Sequence, residues 1–76
     1  MTTEQLVTHI HASPFRPFRI HLADGRHLDV KHPDFIARSP SGRTATIYTA
    51  EETSETIELL LVTSLETLNG ARRRRG

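Results

Sequence analysis

The stretch from Phe18 to Val30, reading FRIHLADGRHLDV, constrains this chain more than any other. Phe18, Ile20 and Leu22 alternate with Arg19, His21 and Ala23, and Leu28 and Val30 alternate with His27, Asp29 and Lys31. Period-two alternation means two strands, each with one buried and one wet face. Asp24-Gly25 marks the turn. A two-residue turn there would set Leu22 against His27 and every apolar residue against a polar one. A three-residue loop, Ala23-Asp24-Gly25, removes the conflict and uses Gly25 in the left-handed region. Ile20 then faces Leu28 and Phe18 faces Val30, while His21 meets His27 and Arg19 meets Asp29 on the outer face. A slip of one residue would turn the whole apolar set outward, so the pattern outweighs the commoner turn.

A chain of 76 residues makes one domain. Such a domain buries only about 60% of its unfolded surface, which leaves it marginally stable. It has no cysteine, which excludes disulfides and thiolate metal sites. No apolar run reaches membrane-spanning length and the N-terminus lacks a signal-peptide pattern, so the expectation is a cytoplasmic chain. Association with a partner or a second copy is then the remaining route to more buried area. The formal net charge is +1, but it is unevenly placed. Residues 51 to 71 carry Glu51, Glu52, Glu55, Glu58 and Glu66 and no base, and Arg72 to Arg75 follow.

The expected organisation is a single small domain over residues 1–71, with a helix over 3–12, a barrel over 15–68 and a basic disordered tail over 72–76. Thr2 with Gln5 fits a capping box. Leu6, Val7 and Ile10 form a narrow apolar stripe that Ser13-Pro14 terminates. His9 and His11 point to different sides of that helix and read as solvated. Pro14 to Phe18 is an extended connector with Phe15 plugging the core edge. His32-Pro33-Asp34 is a bend. Phe35 to Tyr48 reads as a second hairpin, with Ser39-Pro40-Ser41-Gly42-Arg43 at its turn. A three-residue loop there pairs Phe35 with Ile47, Ile36 with Thr46, Ala37 with Ala45 and Arg38 with Thr44, and places Phe15, Phe18 and Phe35 inside. Thr49 to Glu55 reads as a mobile acidic loop. Ile57 to Val62 is apolar on both faces, as in a strand buried from both sides. Thr63-Ser64 marks a bend, Leu65 and Leu68 belong to a last short strand or turn, and Asn69-Gly70 closes the domain. The sum is a mainly β fold: a short N-terminal helix, then a five-stranded, strongly bent small barrel.

The parts of an enzyme are missing from this reading. There is no cysteine nucleophile, no serine with an identifiable base and no glycine-rich phosphate loop. Asp24 and Asp34 sit where turns favour aspartate. His21 and His27 face each other across the first hairpin, but a stable metal site needs three or four ligands, so they read as a solvated pair. No catalytic residue, cofactor or metal ligand is expected. Two function classes remain. One is a protein-interaction or self-assembly module working through its last strands, with Leu60 and Val62 at the interface. The other is RNA or DNA binding through Arg19, Arg26, Arg38 and Arg43 and the tail Arg72, Arg73, Arg74 and Arg75, because arginine pairs phosphate bidentately.

The segments PFRPFR at Pro14–Arg19, ADGR at Ala23–Arg26, HPDF at His32–Phe35 and SPSGR at Ser39–Arg43 together resemble a group of short bacterial proteins of uncharacterised function. The order of elements also resembles the Sm-like fold, including the bacterial Sm-like RNA chaperone. That resemblance implies a small barrel able to assemble through its last strands. Leucines stand at Leu59 to Leu61, in the region where that chaperone carries a lysine–histidine pair for RNA contact.

Overall fold

The structure is a computed structural model that describes residues 3–49 and 51–68. One helix, α1 (Thr3–Ile10), precedes six strands: β1 (Phe18–Leu22), β2 (His27–Val30), β3 (Ile36–Arg38), β4 (Thr44–Tyr48), β5 (Ser54–Glu58) and β6 (Val62–Thr67). They form two antiparallel three-stranded sheets, ordered β2-β1-β6 and β3-β4-β5. The expected five-stranded barrel is therefore corrected: the described residues form six strands in two sheets and no closed barrel. The mainly β character and the short N-terminal helix hold. The added strand is β6, set off from β5 by a 3-10 turn at Leu59–Leu61, while Pro33–Phe35 forms another 3-10 turn between β2 and β3 and carries the chain from one sheet to the other. Proline opens that turn, and the His32 imidazole Nδ1 accepts from the Asp34 N–H at 3.1 Å.

The first hairpin keeps its expected register: Phe18 opposite Val30, Arg19 opposite Asp29, Ile20 opposite Leu28 and His21 opposite His27. Leu22 N–H bonds Arg26 C=O at 2.9 Å, which closes the loop Ala23-Asp24-Gly25. Gly25 has φ +94°, a region open to glycine at no steric cost. The second hairpin is shifted by one residue from its expected register. Ile36 faces Ile47, Ala37 faces Thr46 and Arg38 faces Ala45. Ser39 N–H bonds Thr44 C=O at 3.0 Å, so the loop holds Pro40, Ser41, Gly42 and Arg43. The longer loop puts both isoleucines in the core and leaves Phe35 on the surface. Burying two β-branched residues on one face outweighs burying the phenylalanine, which the 3-10 turn already points away.

The final apolar run is also corrected. It is not one strand buried on both sides. Leu59–Leu61 is a 3-10 turn that passes the chain from β5 to β6. Leu59 N–H bonds Arg43 C=O at 2.9 Å, and Leu61 C=O accepts from Ala23 N–H at 2.8 Å. The turn is thus pinned to both hairpin loops. Only Leu59 of its three leucines is core. Thr63 is the extra residue of a bulge in β6, since Val62 faces Leu22 and Ser64 faces His21. The expected bend is that bulge, and β6 runs through it. The expected acidic loop is shorter than Thr49 to Glu55. Thr49 and Thr53 close a turn by an N–H to C=O bond of 2.9 Å, and β5 starts at Ser54.

The core lies between the sheets, from Phe18, Ile20 and Val30 on one side to Ile36, Ile47 and Ile57 on the other. Leu6 seats α1 against it. The helix stops at Ile10 rather than at residue 12, and His9 is not simply solvated: its ring lies 5.2 Å from that of Phe18. The expected cap at Thr2, the close at Asn69-Gly70 and the tail Arg72–Arg75 fall outside the described residues. Among those described, no helix is long and apolar enough to cross a membrane.

Candidate functional site

The outer face of sheet β2-β1-β6 is built from the polar residues of the first alternation. Arg19 donates through Nε to Asp29 Oδ1 at 2.7 Å and through Nη2 to Oδ2 at 3.2 Å. That bond holds the Asp29 carboxyl below its usual range and raises the Arg19 pKa. His21 Nε2 lies 2.9 Å from Glu66 Oε1, which ties β1 to β6. His27 Nδ1 is 3.9 Å from Asp29 Oδ1. The His21 and His27 ring centroids are 6.1 Å apart. Yet among the described residues no three His, Cys, Asp or Glu side chains are placed to hold a metal ion.

Arg26 is also engaged. Its backbone N–H and its Nε both bond the Asp24 carboxylate, at 3.1 and 2.8 Å, and its Nη1 pairs Glu55 of β5. The backbone bond is the larger reason that the Asp24 carboxyl is held low. Arg19 and Arg26, two of the expected phosphate-binding residues, thus spend their charge within the chain. Arg38 and Arg43, on the second hairpin, are exposed and have no ion partner among the described residues. Arg72 to Arg75 lie outside the described residues.

Two grooves border the second hairpin, the second of them shared with β2. The first, of about 500 Å³, runs between the second hairpin loop and the β5–β6 turn, and is lined by Ser41 to Thr44 and Glu58 to Leu60. Leu60 stands at its rim, 86% exposed. The interface pair expected from the sequence therefore separates: Leu60 is at the surface, whereas Val62 is core. Glu58 is exposed here and forms no ion pair among the described residues. The second groove, of about 320 Å³, brings Phe35 and Tyr48 together with Lys31 and His27. Its aromatic rings are 39% and 46% exposed. Sequence reasoning placed Phe35 inside and missed this pair. The signal was available in Pro33, which favours a turn rather than a strand just before Ile36.

Comparisons of the chain with protein-family models, with curated proteins and with solved structures find no match.

Proposed function

We propose that this chain is a non-enzymatic module that self-associates through the groove between Ser41–Thr44 and Glu58–Leu60. The observation that supports the reading is Leu60. A large aliphatic side chain at 86% exposure adds nothing to its own core. It stands beside a groove partly lined by apolar atoms, on a turn pinned at both ends by backbone bonds. Exposed apolar surface beside a groove is a mark of an interaction site. The order of elements supports an Sm-like or SH3-like reading as well. The helix is followed by a hairpin, a break at Pro33–Phe35 leads into a three-stranded meander, and the last strand returns through a 3-10 turn to pair with β1.

Sedimentation equilibrium on the full chain tests this from roughly 10 μM to roughly 1 mM, the range for a small interface. The wild type should rise above its 8.6 kDa chain mass, while Leu60→Glu stays at it with an unchanged melting temperature. A wild type that stays monomeric throughout overturns the reading.

One observation favours nucleic acid binding as a second reading. Exposed aromatic rings stack bases with little regard to sequence, and Phe35 and Tyr48 share a groove with Lys31. Phe18 pairs with both Val30 and Thr67, so Lys31 and Leu68 leave the same end of the sheet, roughly 10 Å apart. The sequence reaches Arg72 four residues past Leu68. Fluorescence anisotropy with single-stranded RNA and DNA across a salt series tests this, comparing Phe35→Ala/Tyr48→Ala, a chain ending at Ala71, and the wild type. Four arginine contacts predict a log–log salt slope near roughly −3 that truncation removes. An absence of wild-type binding at low salt ends this reading.

A further inference from the structure

The groove at Leu60 has a property that self-association alone does not require. Its apolar knob, its hollow, a free cation and a free anion all lie on one patch. Arg43 and Glu58 both line it, and neither forms an ion pair among the described residues. They are near neighbours in the sheet, since Thr44 faces Glu58 and Leu59 N–H bonds Arg43 C=O. Even so, they do not close on each other.

We infer that two copies meet here about a two-fold axis, with Arg43 of each against the partner's Glu58 and Leu60 of each over the partner's groove. The inference rests on the self-association reading above and gives it an arrangement. A surface used by both members of a two-fold pair must be complementary to itself. This one is, in shape and in charge. A head-to-tail chain would need the knob and the hollow on separate surfaces. Here one contact uses both in both copies, so no further groove of this kind is left for a third. The pairing also supplies partners for two side chains that the described residues leave without an ion partner.

Charge reversal on the full chain tests the arrangement by sedimentation equilibrium. In Arg43→Glu, the new carboxylate faces the partner's Glu58 on both sides of the axis. Glu58→Arg creates the matching clash between cations. Each variant should raise the dissociation constant on the order of tenfold or more, because like charges brought together at an interface are strongly unfavourable. An equal mixture of the two variants should associate again, since every facing pair is then opposite in sign. The wild-type mass should level off at two chains. Melting temperatures within a few degrees of the wild type would show that the variants are folded. If Leu60→Glu dissociates the protein but the charge variants do not weaken it, the two-fold pairing is wrong and self-association stands. A mass that climbs past two chains has the same meaning. A wild type that is monomeric throughout removes both.

Discussion

The two hairpins start from similar sequences and end in different states. Both carry two arginines and a turn glycine at positive φ, +94° at Gly25 and +76° at Gly42. In the first hairpin the arginines are taken up, Arg19 by Asp29 and Arg26 by Asp24 and Glu55. In the second, Arg38 and Arg43 stay free among the described residues. The first hairpin therefore presents a face whose charges answer each other. The second borders both grooves and leaves Phe35, Tyr48, Arg43 and Leu60 turned to solvent at its edges. The lesson concerns where a small domain keeps its capacity to bind. An arginine counts toward recognition only after its neighbours have been subtracted, and alternation along a strand does not show which carboxylate a neighbouring strand will bring.

The largest expected effect separates the two hairpins by their phenylalanines. Phe18 is fully buried, so Phe18→Ala should cost about 3–5 kcal/mol in denaturant unfolding. Phe35→Ala should cost less than about 1 kcal/mol. Equal costs would mean that the second hairpin has the shorter loop and that Phe35 is core.

The turn glycines should differ by a smaller margin. A Cβ on Gly25 would meet nothing within 4 Å, so Gly25→Ala carries only the left-handed penalty, about 1–2 kcal/mol. A Cβ on Gly42 would lie 2.9 Å from Thr3 Oγ1, which donates to Gly42 C=O at 2.8 Å. Gly42→Ala should therefore cost about 2–4 kcal/mol, and thermal melts of the two variants would rank them. A reversed order would mean that α1 does not dock on this loop.

The smallest effect concerns the charge pairs, and it carries a pH signature. The Asp29 carboxyl is held low by Arg19, so its folded pKa lies below the unfolded value. Its contribution is present above about pH 4 and is lost as pH falls through the folded pKa. Asp29→Asn should cost about 0.5–1 kcal/mol at pH 6, and the gap should close as pH falls through the folded pKa. Arg38→Ala should stay within about 0.5 kcal/mol throughout. A gap for Asp29→Asn that persists in acid would mean that the side chain acts through packing rather than charge.

Much of the fold was legible because local chemistry carried it. Phe18 to Val30 showed its register through alternation and one turn glycine, and the short helix showed its apolar stripe. The second hairpin was misread because two loop lengths both gave apolar pairs. Choosing between them required knowing that Ile36 and Ile47 face one core. The Leu59–Leu61 turn was hidden for a related reason. A run of leucines suits a buried strand or a turn equally well, and no proline or glycine interrupts it.

For the proposed interaction surface the division is sharper. Leu60 and Val62 were singled out together by the apolar run Ile57 to Val62 in a domain of marginal size. That Leu60 is exposed and Val62 is core was a matter of tertiary structure, since the 3-10 turn lies between β5 and β6 and ends just before Val62. The identity of the free arginines was decided the same way. Asp29 could be paired with Arg19 from alternation alone, because both sit on one hairpin. Glu55 reaches Arg26 across a separation of 29 residues, and only the packing of β5 beside the first loop brings them together. In the first hairpin local alternation settles which face of each strand is wet. Which wet charges remain available depends on which distant segments the core draws alongside.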